Sequence, residues 1–540
     1  MTALALIAAS PTDPIVAPSI DFGVIMPILI VLVGACLGIL FEAFLPRSMR
    51  YPSQVALTVL AVGAALAWTV VFGVEGNYGV TFSGAVAVDA ATYVIWGVLL
   101  TLAIPSVLMM ADRVAEPGGA FVTQAAAQIG SPRDRAATRV AAPMQTEVFP
   151  LALFAVGGMM VFPASIDLVT LFVALEVLSL PLYLLCGLAR RRRLISQESA
   201  VKYFLLGAFT SAIFVYGLAL LYGYAGSTQF QAIAAQSRAG DSSDVLLIGG
   251  LALVVVGLLF KASVGPFHLW TPDVYQGAPT PVTAFMAACT KVAAFAAMLR
   301  VFQSALAPMA WSWQPVIAII AAASMMIGAI IGITQTDMKR MLAYSSVAHA
   351  GFILLGVLSM SERGASATMF YLLTYGMATI GAFAILTVVR KGDGEASHVS
   401  DWAGLAKRSP VLAASMSLFL LSFAGIPLTA GFIGKLSVFT AAMDAGYAWL
   451  VVIAMVATAI TAFFYLRIVV VMYFSEPAAE MGGLAAGGRS SAMGSDAPYV
   501  VVPGLLTVAV ITVAVVLTLG LGLWPGPVLD LLTVPLPLLS

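Results

Sequence analysis

Long apolar runs recur along the whole chain, and they limit the folds open to it more than any other feature. Between Gly23 and Trp524 there are about fourteen such runs, each long enough to cross a hydrocarbon core of roughly 30 Å as a helix. Because lipid cannot hydrogen-bond free peptide groups, helices must form these segments. We therefore predict an all-α, polytopic membrane protein with about 14 transmembrane helices. The predicted helices are centred near Leu32, Val62, Leu100, Val156, Val177, Ile213, Val255, Ala288, Ala322, Leu354, Ala382, Leu421, Val456 and Val513.

The composition supports a membrane protein and excludes several other classes. Of the 540 residues 61% are hydrophobic and 9% are charged, whereas about a quarter of the residues in a soluble domain are charged. The formal net charge is zero, so there is no electrostatic reason to expect a nucleic-acid partner. The three cysteines, Cys36, Cys186 and Cys289, are isolated in apolar stretches. This spacing predicts no disulfide framework, metal site or iron-sulfur cluster on this chain.

Basic residues are concentrated in alternate connections between the predicted helices. The positive-inside rule therefore predicts that these connections are cytoplasmic and that both termini lie on the outer face. Two polar insertions, 112–146 and 476–496, are predicted to be flexible cytoplasmic loops. The basic residues concerned are Arg47, Arg50, Arg190 to Arg193, Lys339, Arg340, Arg390, Lys391, Lys407 and Arg408.

Charged residues inside an apolar helix are costly, on the order of 3 kcal/mol each on insertion scales, so they need a reason. Arg467 and Lys202 could extend to the headgroups, which would be a structural explanation. Lys261 and Lys435 lie deeper in their predicted helices, so a functional role is the better interpretation for them. The charged residues within or near the ends of predicted helices are Glu176, Lys202, Lys261, Lys291, Lys435 and Arg467.

Two predicted helices contain a break beside a lysine. Lys261 is followed by Gly265 and by Pro266, which lacks the backbone donor that would bond the Ala262 carbonyl. Lys435 is preceded by the breaking pair in SFAGIPLTAGFIGK. Broken helices at mid-membrane are tolerated where they line a protein-enclosed or hydrated cavity, which is where ion sites are built.

Histidines and an acid supply possible partners for these lysines. His268 lies seven residues after Lys261, so it would share that face in an unbroken helix, and it is either a proton relay or a satisfied core histidine. His349 lies at a similar depth in another predicted helix. Glu176 has no aqueous escape nearby, so it should be protonated or paired. Its natural partner is Lys202, and such a pair could control whether Lys261 holds its proton.

The stretch from Lys261 to Lys291, KASVGPFHLWTPDVYQGAPTPVTAFMAACTK, resembles the hallmark of the proton-conducting antiporter-like family. This family comprises membrane subunits of complex I and multisubunit cation/proton antiporters. Further matches are LEVLSLPLYLL around Glu176, KYFLLGAFTSA from Lys202, KRMLAYSSVAHAGF from Lys339 and AGIPLTAGFIGK ending at Lys435. Together the matches cover roughly residues 150 to 475.

The resemblance implies a domain arrangement and a set of site residues. It implies two inverted five-helix repeats, 147–303 (helices 4 to 8) and 304–475 (helices 9 to 13), each with a broken helix. Residues 1–146 and 476–540 would hold the flanking helices and loops. The implied site consists of a Glu-Lys pair, a central lysine, two relay residues and a lysine facing the distal channel, here Glu176 and Lys202, Lys261, His268 and Lys291, and Lys435.

The resemblance also implies a function: proton translocation across a bacterial plasma membrane, driven by electron transfer from NADH to quinone. The chain would be a translocase subunit without a redox centre, and flavin, iron-sulfur clusters and quinone would be bound by other subunits. Expected partners are other membrane-arm subunits of complex I, including other antiporter-like subunits, as well as the lipid bilayer and protons. Two alternatives stay open: a cation/proton antiporter subunit that uses the same lysines, and a structural spacer whose charges only assist packing.

Two features distinguish members within the complex I branch. A lysine at position 435 argues against the M-type subunit, which typically carries a glutamate there. The chain ends at Ser540 soon after the last predicted helix, which argues against the L-type subunit with its long lateral helix.

Overall fold

The computed structural model describes residues 20–116, 118–122, 145–239, 244–392, 394–476 and 497–535. Within these ranges, 11 helices are long and apolar enough to cross a membrane, and three shorter apolar helices accompany them. Every predicted centre lies inside one of these helices, so the all-α membrane fold is confirmed. Most of the two predicted insertions, 123–144 and 477–496, lies outside the described residues.

The membrane helices are called spans 1 to 14 in chain order. They are Phe22–Phe44, Arg47–Glu75, Ala90–Ala111, Val148–Ala164, Leu168–Cys186, Arg193–Ala225, Asp244–Lys261 with Trp270–Gly277, Thr280–Gln303, Ala310–Thr334, Met338–Leu358, Glu362–Val388, Pro410–Ala424 with Ala430–Asp444, Ala448–Phe474 and Leu505–Leu523.

Both predicted helix breaks are present. The first half of span 7 ends at Lys261, and its second half begins at Trp270. The first half of span 12 ends at Ala424, where Gly425 adopts the left-handed conformation (φ 78°) that closes a helix end, and the second half begins at Ala430. The inverted-repeat relation and the boundaries at 147–303 and 304–475 stay predictions.

Spans 8, 10 and 11 form the centre of the bundle. They are almost wholly buried, whereas spans 2, 6 and 14 bury about a third of their residues or less. Span 8 also contains a π-helical turn, Met286–Thr290, directly before Lys291. A π turn shifts the face on which the following side chains project, and such turns are common at functional sites.

The basic connections meet on one side of the bundle, which we call the basic face. It is held together by ion pairs and by a small antiparallel sheet of β3 (Val389–Lys391), β4 (Gly394–Glu395) and β5 (Tyr499–Val500). Another sheet, which has two strands, β1 (Gly79–Thr81) and β2 (Val86–Val88), precedes span 3. The ion pairs are Arg191 with Glu116, Lys339 with Glu395, Arg340 with Asp273 and Lys391 with Asp401.

The opposite ends of the helices carry exposed tryptophans. Trp311, Trp449 and Trp524 lie where spans 9, 13 and 14 reach the other side of the bundle. Tryptophan is enriched at membrane-water interfaces, so these residues fit the second boundary of the bilayer. The orientation itself stays a prediction, and the chain ends at 1–19 and 536–540 lie outside the described residues.

A buried ion pair fastens span 8 to the first spans. Arg300, 1% exposed, donates from Nη1 to Asp89 Oδ2 (2.6 Å) and from Nη2 to Asp89 Oδ1 (2.9 Å). Its Nε donates to the Pro163 carbonyl at the end of span 4 (3.1 Å). Asp89 also caps the first turn of span 3 through the Thr92 backbone N–H. One guanidinium thus joins three spans.

We expect Asp89→Ala to destabilise the chain by about 3–5 kcal/mol, because it leaves a buried guanidinium without its acid. The check is the melting temperature of the purified protein in detergent and the amount retained in membranes. Asp444→Ala, which breaks the exposed pair with Arg363, is the matched control and should have little effect. Equal losses from the two substitutions would contradict a structural role for the buried pair.

Candidate functional site

Lys261 lies at the end of the first half of span 7 and is 5% exposed. Its Nζ donates to Ser179 Oγ on span 5 (2.8 Å) and to the Tyr203 hydroxyl on span 6 (3.2 Å). A small cavity of about 10 Å³ lies beside it, and Ser179, Ser211 and Lys261 contribute to its lining. A cavity of this size holds about one water molecule. The site therefore surrounds one amine with hydroxyl groups.

Lys291, on span 8, is 1% exposed and binds two backbone carbonyls. Its Nζ donates to Ala262 O at the break of span 7 (3.1 Å) and to Ser346 O on span 10 (3.0 Å). The Ala262 carbonyl is the one that Pro266 leaves without a helical donor. The lysine thus occupies the position that the helix break opened.

Lys435, on the second half of span 12, has the same relation to the second break. It is 4% exposed, and its Nζ donates to Ala424 O at the end of the first half (3.2 Å) and to Thr458 Oγ1 on span 13 (3.5 Å). The ammonium also lies 4.8 Å from the ring centroid of Phe352, which is cation-π range. Both breaks therefore present a carbonyl to a buried lysine.

One stretch of span 10 lies between the second and third lysines. Ser346 accepts from Lys291, His349 follows one turn later, and Phe352 one turn later again faces Lys435. His349 Nδ1 bonds the Tyr371 hydroxyl (2.8 Å), and its Nε2 bonds the Tyr465 hydroxyl (3.3 Å). Span 10 therefore contacts Lys291 at Ser346 and Lys435 at Phe352, and buried His349 lies between these two contacts.

The three lysines lack acidic partners. In the described ranges, no carboxylate lies within ion-pair distance of Lys261, Lys291 or Lys435. Structural lysines inside membranes usually pair with acids or extend to headgroups. These three do neither, since their contacts are hydroxyls, backbone carbonyls and an aromatic ring.

The expected direct pair of Glu176 and Lys202 is not formed, and this prediction was wrong. Lys202 Nζ instead binds Glu198 (2.7 Å) and Asp273 (2.8 Å), and Asp273 also binds Arg340. Glu176 Oε1 accepts from Ser211 Oγ (2.5 Å), nine residues beyond Lys202 on span 6 and thus about 13 Å along the axis.

Glu176 borders the site of Lys261 through Ser211. Ser211, which holds the carboxylate, lines the cavity beside Lys261, and Ser179 is one turn after Glu176 on span 5. The hydroxyls of Ser179 and Ser211 and a cavity for about one water molecule therefore lie between Glu176 and Lys261. Lys202 belongs to a separate charged group nearer the basic face.

His268 and Arg467 complete the set of predicted positions. Because span 7 is broken at Lys261, the shared helical face does not exist, and His268 lies in the connecting stretch. It is buried, its ring packs on Tyr344, and its Nδ1 has no hydrogen-bond partner among the described residues. Arg467 is exposed, and its guanidinium reaches Ile333 O at 3.4 Å, which fits the interfacial interpretation.

The hydroxyl groups around Lys261 and His349 were not predicted. Ser179 and Tyr203 bind Lys261, and Tyr371 and Tyr465 bind His349. All four are common residue types in apolar helices, so residue type alone gave no signal. One usable signal was present: Tyr203 follows Lys202 in the matched motif KYFLLGAFTSA. Asp273 is a second signal, because it is an acid within the stretch from Lys261 to Lys291.

Comparisons with known proteins agree with this geometry. The family described as NADH:quinone oxidoreductase/Mrp antiporter, transmembrane, matches residues 165–461. The chain is 57% identical over 516 residues to NADH-quinone oxidoreductase subunit N of Saccharopolyspora erythraea, covering 95% of this chain and 97% of that relative.

Two solved structures are similar over nearly the whole chain. A chain of respiratory complex I from Thermus thermophilus is 33% identical, with a TM-score of 0.72, and the match covers 94% of this chain and 99% of that chain. A chain of the Mrp complex from Dietzia sp. is 23% identical, with a TM-score of 0.77 over 95% and 97% of the two chains, which shows the shared fold alone.

The fold, the two breaks and the buried lysines define a membrane subunit of the antiporter-like class. Within that class, the chain belongs to the subunit N family of NADH-quinone oxidoreductase, respiratory complex I. This confirms the predicted family and agrees with the arguments against the M-type and L-type subunits. The antiporter-subunit alternative has weaker support, because the similarity to the Mrp chain is confined to the fold.

The partners of Lys202 can be tested by double-mutant cycles on NADH-driven proton transport in membrane vesicles. We expect Lys202→Met and Asp273→Asn each to slow transport, and the double variant to lose less than the sum of the two losses, because the two substitutions share one interaction. Lys202→Met with Glu176→Gln should instead show additive losses. Additive losses for the first cycle and a coupled loss for the second would restore the originally predicted pair.

Proposed function

We propose that this chain carries protons across the bacterial plasma membrane through Lys261, Lys291, His349 and Lys435. The observation that carries the proposal is that three buried lysines have no acidic partner among the described residues. Several uncompensated cations in one membrane domain are too costly for a packing device, which argues against the structural-spacer alternative.

Hydrogen-bond chemistry fits a proton carrier at Lys261. A hydroxyl both donates and accepts, so Ser179 and Tyr203 can accept from an ammonium and can also donate to a neutral amine. The same site therefore holds the side chain before and after it releases a proton. At Lys291 the partners are carbonyls, which only accept.

Between Lys291 and Lys435, the proposed path runs through His349 and its hydrogen-bonded tyrosines, which can take up one proton while they release another. His349 has one ring nitrogen on Tyr371 and the other on Tyr465, so a proton taken at one nitrogen can leave from the other. Tyr465 is also hydrogen-bonded to Ser345. Predicted relay residue His268 stays a candidate, because its buried Nδ1 is available for a water molecule.

We infer that the energy for transport comes from quinone reduction on other subunits. The names of the relatives, NADH-quinone oxidoreductase subunit N and respiratory complex I, support assembly with other membrane-arm subunits, including other antiporter-like subunits. The chain would have no redox centre of its own, so flavin, iron-sulfur clusters and quinone would be bound elsewhere in the complex. Iron-sulfur clusters usually take four cysteine ligands, and the sequence has three, each in a different apolar stretch.

Lys261→Arg tests the carrier role. Arginine keeps the positive charge but does not release a proton at physiological pH, whereas a desolvated lysine can. We expect the variant complex to assemble and to lose most of its NADH-driven proton pumping in vesicles, as Lys261→Ala should. Pumping is normalised to the amount of assembled complex.

The control for this test is Arg467→Lys, at an exposed position, which should pump normally. Reduction of an artificial electron acceptor by the same preparations reports on the peripheral redox arm and should not change. Normal pumping by a fully assembled Lys261→Arg complex would show that the residue supplies only charge and would remove the carrier role.

A further inference from the structure

Glu395, on the short strand β4 at the basic face, binds the beginnings of two central helices. Its Oε1 and Oε2 accept from Thr280 Oγ1 (2.5 and 2.6 Å), and its Oε2 forms an ion pair with Lys339 Nζ (2.8 Å). Thr280 is the first residue of span 8, and Lys339 is the second residue of span 10. One carboxylate thus joins the first turns of two almost fully buried spans.

The same two spans meet again at the proposed relay. Lys291, eleven residues after Thr280, is about 16 Å further along span 8, and Ser346, seven residues after Lys339, is about 10 Å further along span 10. There Lys291 donates to the Ser346 carbonyl at 3.0 Å. The sliding of one span against the other would change this distance directly. The relative position of the two first turns therefore sets the geometry of the relay.

A second acid, Glu116, lines the same charged cavity, and its ion pairs in the described part of the chain involve neither span. Its carboxylate binds Arg191 (3.2 Å) and Arg390 (3.6 Å), and Arg390 is the residue opposite Glu395 in the β3–β4 pair. The cavity of about 40 Å³ lies between these groups and has room for a few water molecules. Glu116 thus shares the surroundings of Glu395 and differs in its contacts.

We propose that Glu395 is a positioning residue for proton transfer: it clamps the first turns of spans 8 and 10 and thereby holds the Lys291 ammonium against the Ser346 carbonyl. The inference rests on the proposed function. Glu395 contacts Thr280 on span 8 and Lys339 on span 10, and the contact with Lys339 is a charge-assisted hydrogen bond. The clamp is therefore specific to a carboxylate at this position.

The electrostatics of the cavity keep the clamp charged. Burial raises the pKa of Glu395, but the charge and hydrogen bond of Lys339, the Thr280 hydroxyl and the charge of Arg390 outweigh this effect and hold the pKa below its usual value. Burial raises the pKa of Glu116, and the neighbouring Glu395 raises it further against the opposing effects of Arg390 and Arg191. The lowered pKa of Glu395 favours its ionised form, which is the form that the ion pair with Lys339 needs.

The experiment uses the assembled complex in liposomes and measures protons moved per NADH oxidised. Glu395→Gln removes the charge that binds Lys339, and Thr280→Val removes the hydroxyl while keeping the side-chain shape. We expect each to lower the ratio by about three- to tenfold, which lies within the range of coupling through packed elements. The double variant should be no worse than the single ones, because both break the same clamp.

Two matched variants separate positioning from general damage to the basic face. Thr280→Ser keeps the hydroxyl, and Glu116→Gln alters the other acid of the cavity, so both should stay within about twofold of the unsubstituted complex. Thr280→Ser as defective as Thr280→Val, or Glu116→Gln as defective as Glu395→Gln, would overturn the proposal. Additive losses in the double variant would do the same.

Lys291→Ala in the same assay distinguishes a failure of the Glu395 clamp from a failure of the proposed relay. A low ratio for Lys291→Ala together with normal ratios for Glu395→Gln and Thr280→Val would overturn the clamp and leave the relay standing. A normal ratio for Lys291→Ala would overturn the role of Lys291 in the proposed function and the clamp with it.

Discussion

The contact on which the rest of the site depends is that between a buried ammonium and the carbonyl end of a broken helix. At mid-membrane a carbonyl without a donor is costly, and so is an ammonium without an acid. Lys291 on Ala262 O and Lys435 on Ala424 O reduce both costs at once. The negative end of the helix dipole adds to the attraction. A carbonyl can hold a cation without neutralising it, so each lysine keeps a charge that neighbouring groups can influence.

This arrangement also explains why the central spans are so completely buried. A carbonyl-lysine contact is strong only where water cannot compete, and spans 8, 10 and 11 exclude lipid and solvent from it. Within this buried interior, side chains of the central spans lie between the lysines. Span 10 supplies the connection with Ser346 and His349, and span 11 supplies Tyr371. Burial and the relay are therefore two consequences of the same packing.

The depth of each charged residue along its helix could be predicted from the sequence, but the face of the helix on which the residue lies could not. Hydropathy located the spans, and the Gly-Pro pairs located both breaks, because these are local properties. Glu176 and Lys202 were expected to pair, yet Ser211 on the same span holds the acid instead. Their faces depend on how spans 5 and 6 pack. Glu395 was beyond prediction because loop contacts between distant segments leave no local pattern.

The two breaks have similar backbones but different chemistry, and the difference bears on the direction of transport. In span 12 the lysine of the second half binds the carbonyl of its own first half. In span 7 that carbonyl region is bound by Lys291 of another span, which leaves Lys261 to the hydroxyls of Ser179 and Tyr203. A hydroxyl can accept from an ammonium and can donate to the lone pair of a neutral amine, whereas a carbonyl can only accept. Lys261 therefore has partners for both of its protonation states, while the two carbonyls around Lys291 favour its charged form. A lasting net movement of protons in the proposed relay then needs an external change at Lys261. Glu176, joined to that cavity through Ser211, is the nearest described acid through which such a change could act.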